Sequence, residues 1–270
     1  MADAQRNLEF LGGDGSAYVP HLAVDCVVFG FHQGALKILL THWTRRRRWS
    51  LPGGFVRRDE SLDEAAHRVL RMRTGLDKDV YLEQFHAFGD VDRPGDPEID
   101  RMFDPPLAAT PEGGSWILER VISVGYYSLV DVCRTRPTAD GVITDDCRWW
   151  ELSARPALLF DHDQIVERGL GALRAQLSYR PIGLNLLPDT FTLPELQRLY
   201  ETILDRTLDR RNFQKKMLEL GILDRVGERR GDGVRRAPYL YRFNRPRYEE
   251  ALQEGILLGR RTAGTEGLRH

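Results

Sequence analysis

The sequence contains no apolar run that approaches the ~20 residues of a membrane span. It has three cysteines in 270 residues, Cys26, Cys133 and Cys147, and no Cys-x-x-Cys pair. That excludes a disulfide scaffold and a zinc ribbon. Each thiol lies in an apolar, strand-like stretch and is expected to be a reduced core residue. Residues 1–15 are acidic and polar and lack the apolar segment of a secretory signal, so a cytoplasmic protein is expected. There are no internal repeats. Net charge is also nearly absent, with 39 Lys and Arg against 40 Asp and Glu. The balance is local, however. Between residues 206 and 247 there are 13 basic side chains against 5 acidic ones, an excess that suits a polyanion.

What is present is one organising stretch, Leu51 to Leu76. A Gly-rich turn, Leu51-Pro52-Gly53-Gly54, runs into an amphipathic helix. Ser61 and Glu64 stand at capping-box spacing, so the helix is expected to start near Leu62. Leu62, Ala65, Ala66, Val69 and Leu70 share one face, and Gly75 suits the left-handed position that ends a helix. The stretch resembles a Nudix box, G-x5-E-x7-R-E-U-x-E-E-x-G-U with U apolar. Gly54, Glu60, Arg68, Leu70, Gly75 and Leu76 fall in register. Val69, Met72 and Arg73 stand where the pattern has glutamate. Those acids hold divalent cations for pyrophosphate cleavage, and hard cations need oxygen ligands. Val69 and Met72 offer none, and Arg73 brings a positive charge instead. The expectation is a Nudix-like fold with no metal, no cofactor and no catalytic residue. The alternative is an active pyrophosphohydrolase with displaced ligands, Glu60, Asp63 and Glu64.

Further along, strands are expected over His21–Phe31, Leu36–Thr41, Val80–Phe88, Arg120–Val130 and Cys147–Leu152, with a hairpin turn at Gln33-Gly34. Arg45-Arg46-Arg47-Arg48 reads as an exposed basic loop or a phosphate or DNA contact. Asp96 to Gly114 is a Pro- and Gly-rich insertion. Asp161 to Leu177 has helical periodicity. Thr192 and Glu195 form a second capping box, opening a helix with Leu196, Leu199, Tyr200, Ile203 and Leu204 inward. A second helix follows from Asp209 to Gly221, with Phe213, Met217, Leu218 and Leu220 as its apolar side. Two short strands then flank a basic loop, Gly227 to Pro238. Helix, turn, basic helix and hairpin is the order of a winged helix-turn-helix.

The whole resembles the Nudix-related transcriptional regulators, the NrtR family. The resemblance rests on Leu51 to Val56, Glu60 to Ala66, Phe88-Gly-Asp-Val-Asp-Arg93, Arg120 to Tyr127, Leu158-Leu-Phe-Asp-His162 and Asp209 to Lys216. It implies an α+β protein: a Nudix-like α/β/α sandwich with a mixed sheet over 18–180, a winged helix over 181–248 and a flexible tail over 249–270. It also implies a homodimeric repressor or activator of NAD or sugar metabolism that binds a palindromic duplex operator and responds to an effector such as ADP-ribose or a related nucleotide or sugar metabolite. Candidate effector contacts are Arg73, standing in for the lost cation, with Arg93, Arg120, Gly54 and Glu60. A recognition helix enters the major groove by its N-terminal end, so Arg210, Arg211, Asn212, Gln214, Lys215 and Lys216 are candidate DNA contacts. Arg229, Arg230, Arg235 and Arg236 on the wing are candidates for backbone or minor-groove contacts. An RNA-binding module is disfavoured, since the major groove of A-form RNA is too narrow for a helix.

Overall fold

The computed structural model describes residues 18–43, 47–76, 80–93, 120–141, 143–177, 182–228 and 238–254. The chain divides into two compact units, Met1–Ala172 and Leu173–His270, upstream of the expected boundary at residue 180.

The first unit contains β1 (Tyr18–His32), β2 (Ala35–Trp43), β3 (Arg48–Ser50), β4 (Gly53–Arg57), α1 (Leu62–Thr74), β5 (Leu82–Phe88), β6 (Ile122–Val130), β7 (Thr144–Glu151) and most of α2 (His162–Gln176). The strands make one mixed sheet. Its main order is β3-β2-β1-β6-β5, with β4 also on β1 and β7 also on β2. Strands β1 and β6 run parallel from Leu22↔Ile122 to Gly30↔Val130. Two left-handed residues, Gln33 (φ 52°) and Gly34 (φ 78°), close the β1–β2 hairpin. That backbone matches the twist of paired strands and sets the register His32↔Ala35.

Alternation along β1 assigns the two faces of the sheet. Val24, Cys26 and Val28 pack with Ala65, Ala66, Val69 and Leu70 of α1. Val27 points the other way, to α2, where a Cβ on Gly169 would meet Val27 and Phe85 at 3.3 Å. Ile165, Val166 and Leu173 of α2 are buried. The result is the expected helix–sheet–helix sandwich. Burial also raises the thiols of Cys26 and, to about 12, Cys147, so both are inert core residues. Cys133 departs from expectation. It is exposed in a short 3-10 turn, Val132–Arg134, with Sγ 3.3 Å from His32 Nδ1.

The second unit contains α3 (Leu193–Leu204), α4 (Arg210–Glu219), β8 (Leu223–Glu228), β9 (Tyr239–Phe243) and α5 (Arg245–Glu254). Strands β8 and β9 pair antiparallel, and Phe191 adds a single bridge to Tyr241. Residues 249–254 are helical, which corrects the expectation of a flexible tail from 249. Asn244 Oδ1 accepts the Arg247 amide at 3.2 Å, and Tyr248 and Ala251, three apart, bury against Ile222. No helix among the described residues is long and apolar enough to cross a membrane.

Candidate functional site

The box is built by close backbone approach. Strand β4 pairs with β1 at Val24↔Gly54 and Asp25↔Gly53. A Cβ on Gly53 would lie 2.2 Å from Asp25 Oδ1, and one on Gly54 would lie 3.0 Å from Val69 Cγ2. Only glycine lets this loop lie so close to the helix and to β1. Glu60 then fastens loop to helix. It accepts the Arg57 amide at 2.9 Å and Arg68 Nε at 2.7 Å, while Arg68 Nη2 reaches the Phe55 carbonyl at 2.8 Å. Burial alone would raise the Glu60 carboxyl. The Arg68 and Arg57 donors outweigh it and hold the group below the usual range. Gly54 and Glu60 thus form part of the frame that holds loop to helix.

The other acids of the helix are engaged as well. Glu64 completes the cap, accepting the Ser61 amide at 2.8 Å. Asp63 accepts the Tyr126 hydroxyl at 2.7 Å, and burial, then this bond, raise the phenol. At the three departing positions, Val69 is fully buried and Met72 is half-buried. Arg73 is buried too. Its Nη1 pairs with Asp140, and its Nε donates to the Gly53 carbonyl at 3.2 Å. Asp140 in turn accepts the amides of Ile143 at 3.0 Å and Thr144 at 2.9 Å. The guanidinium expected to meet an effector is directed inward, because a buried carboxylate stands beside it.

Arg93 is likewise directed inward. Its Nε and Nη2 grip Asp161, and its Nη1 donates to the Val121 carbonyl at 2.7 Å. Next to it lies a buried set that the sequence did not disclose. Ser123 Oγ donates to Asp25 Oδ2, and His162 Nε2 lies 3.4 Å from Asp25 Oδ1. The Leu51 amide donates to His162 Nδ1 at 2.9 Å. A ring nitrogen that accepts leaves the proton on the other, so His162 is neutral with hydrogen on Nε2, aimed at Asp25. Burial holds the His162 pKa below its ordinary value. The available signal was Asp25, a single acid inside an otherwise apolar strand. Of the expected effector residues, Arg120 alone is exposed. Arg48 Nη2 donates to the Leu158 carbonyl at 3.0 Å, so it is partly structural. Arg45, Arg46 and the 96–114 insertion lie outside the described residues.

In the second unit, Thr192 and Glu195 form a reciprocal cap on α3. The turn after α3 is clasped by Glu201, whose Oε1 accepts the Leu208 amide and Gln197 Nε2, both at 2.9 Å. Helix α4 starts at Asp209, which caps the Asn212 amide at 2.8 Å. Phe213 packs edge-on against Tyr200 at 5.3 Å and, with Met217, is buried. Arg210, Arg211, Asn212, Lys215 and Lys216 are exposed, while Gln214 is half-buried. The helix thus presents four cations and an amide on its outer face. Arg229, Arg230, Arg235 and Arg236 lie outside the described residues.

Comparison with known proteins accords with both units. A model of the Nudix domain matches residues 19–153, and a model of the NrtR DNA-binding winged helix domain matches residues 183–243. The chain is 30% identical over 229 residues to the ADPR responsive transcriptional repressor NtrR of Acinetobacter baylyi, covering 83% of this chain and 82% of that protein. The crystal structure of Shewanella oneidensis NrtR complexed with a 27mer DNA is 26% identical, with TM-score 0.63, over 84% of this chain and 95% of that one. A MutT/nudix family protein from Enterococcus faecalis shares the fold at 21% identity and TM-score 0.58, over 84% of this chain and 87% of that one.

Proposed function

The chain belongs to the NrtR family of Nudix-related transcriptional regulators, and on that premise we propose that it is a repressor that binds duplex DNA through α4 and responds to an ADP-ribose-like effector through its Nudix unit. The carrying observation is α4 itself. Its inner side is Phe213 and Met217, its N-terminus is capped by Asp209, and its exposed side chains include Arg210, Arg211, Asn212, Lys215 and Lys216. Arg and Asn read base edges by paired hydrogen bonds, and Lys holds phosphate. One such helix covers only a few base pairs. A two-fold dimer on a palindromic site doubles the contacts and fixes half-site spacing near one helical turn or a multiple of it. The site of action is the cytoplasm.

The Nudix unit acts as a sensor and not as a hydrolase. Val69 and Met72 supply no hard oxygen ligand. Arg73 is paired with Asp140, and Glu60, Asp63 and Glu64 are each hydrogen-bonded within the fold. The test is titration of the chain's own upstream duplex against random duplex at about 0.15 M salt, with and without ADP-ribose. Preference for the upstream duplex, altered by ADP-ribose, is expected. Equal affinity for both duplexes overturns the reading.

A further inference from the structure

The second unit carries a basic surface that none of the expected DNA contacts includes. The model of the NrtR winged helix domain ends at residue 243, and α5 begins at Arg245. Arg242, Arg245 and Arg247 are exposed at this junction. The acid beside them, Asp224, is engaged. Asn244 Nδ2 donates to its two carboxylate oxygens at 3.3 and 3.2 Å, and Arg242 Nε lies 3.9 Å away. The Arg242 side chain is still 62% exposed. Arg245 has no hydrogen-bond or ion-pair partner among the described residues. The next acids of α5, Glu249 and Glu250, lie about a turn further along.

This surface is fastened to the far end of α4. The Asn244 amide donates to the Ile222 carbonyl at 2.8 Å, and Arg247 Nη1 donates to the Gly221 carbonyl at 3.2 Å. Gly221 (φ 67°) lies in the turn between α4 and β8. The 10 residues of α4 rise about 15 Å. The major groove is only about 8.5 Å deep and about 12 Å wide. A helix that sets its N-terminal end on base edges therefore carries its C-terminal end up to the rim of the groove, where the phosphates lie. Arg247 reaches that end directly, and Arg245 is two residues away.

We propose that Arg245, with Arg242 and Arg247, forms a phosphate-holding surface that adds a DNA backbone contact at the C-terminal end of α4; this rests on the reading of α4 as the helix that binds duplex DNA. Three cations beside one engaged acid suit a polyanion. The guanidiniums carry the contact, not the start of the helix. Pro246 has no amide hydrogen, and Asn244 Oδ1 takes the Arg247 amide at 3.2 Å. A guanidinium fork meets phosphate oxygens in pairs, and such contacts fix position without reading sequence. Arg247 also holds Gly221, so its loss would disturb the end of α4 as well as the contact. Arg245 is the member that can be removed without touching the fold.

Anisotropy titrations of the full chain on its own upstream duplex and on random duplex test this, at salt from about 0.05 to about 0.2 M. At about 0.15 M salt, Arg245→Ala is expected to weaken both duplexes alike, about three- to tenfold, and to lower the salt slope by about one. Its melting temperature is expected to stay at the wild-type value. Arg245→Lys keeps the charge and is expected to keep the slope. Neutral methylphosphonate linkages, placed one at a time along the upstream duplex, locate the contact: one of them is expected to weaken wild type and to leave Arg245→Ala unaffected. Wild-type affinity and slope in Arg245→Ala would overturn the inference and leave the proposed function standing. A loss confined to the upstream duplex would also overturn it, because Arg245 would then read a base. So would a loss with a lowered melting temperature and no linkage that Arg245→Ala ignores. If wild type prefers neither duplex, the proposed function fails, and Arg245→Ala on random duplex still decides this inference.

Discussion

Arg93 holds both carboxylate oxygens of Asp161, through Nε at 2.6 Å and Nη2 at 2.9 Å. The two are 68 residues apart in sequence, and their side chains are 11% and 4% exposed. The pair joins the segment after β5 to the start of α2, beside Asp25 and His162.

Removing one partner of such a buried pair strands the other charge, at a cost of about 3–5 kcal/mol. Asp161→Ala is therefore expected to destabilise the chain by that amount in urea unfolding. A loss below about 1 kcal/mol would mean that Arg93 finds water or another carboxylate when Asp161 is gone.

Acid should weaken the fold in two separate windows. His162 is held neutral below its ordinary pKa by burial, so the unfolded chain takes up the proton more readily. The stability it contributes is present above about pH 6.5 and is lost as pH falls through the lowered folded value. Glu60 is also lowered, from 4.5, so its contribution is present above that pH and disappears only at stronger acid. Urea midpoints measured from about pH 7.5 down to about pH 2.5 are expected to decline first near pH 6. His162→Gln is expected to remove that first decline and to keep the later one.

Hydrolysis should be absent. With Mg²⁺ or Mn²⁺, steady-state cleavage of ADP-ribose is expected to stay far below the roughly 1 s⁻¹ at which ordinary enzymes begin. Arg73→Glu places a carboxylate beside Asp140 and is expected to lower the melting temperature in metal-free buffer. Turnover by the wild-type chain near the ordinary range would return the hydrolase reading.

On DNA, Asn212→Ala and Lys216→Ala should differ in kind. If Asn212 reads a base, its loss costs about 1–3 kcal/mol on the preferred duplex and blurs one position. Lys216→Ala is expected to weaken all duplexes alike and to lower the salt slope by about one. Anisotropy titrations on specific and random duplexes at three salt concentrations separate the two. Identical behaviour of the variants on both duplexes would remove α4 from the reading role.

Much of the fold was legible because its signals are local. Ser61 with Glu64, Thr192 with Glu195 and the Gln33-Gly34 turn each lie within four residues, and each forms as its spacing requires. The faces of α4 were legible in part: Phe213 and Met217 are buried as their spacing requires, but Leu218, expected on the apolar side, is exposed. The partners of the arginines were not legible. Arg73 meets Asp140 67 positions away, and Arg93 meets Asp161 at 68. No periodicity marks such a partner, so an arginine free in sequence was fully paired in space. Cys133 misled for a related reason: its neighbours are those of a strand, but Asp131 caps the Cys133 amide and turns the chain into a 3-10 helix. In α5, Ala251 carried too little hydrophobicity to announce a buried helix beyond residue 248.

The Glu201 clasp on the α3–α4 turn separates two kinds of evolutionary change. Because Glu201, Gln197 and the Leu208 backbone fix the angle of α4 from behind, and Phe213 and Met217 anchor it from beneath, the outward positions bear no responsibility for the shape of the head. On the proposed reading, exchanging residues 211, 212, 215 and 216 as a set is expected to retarget the protein to a new operator at unchanged thermal stability.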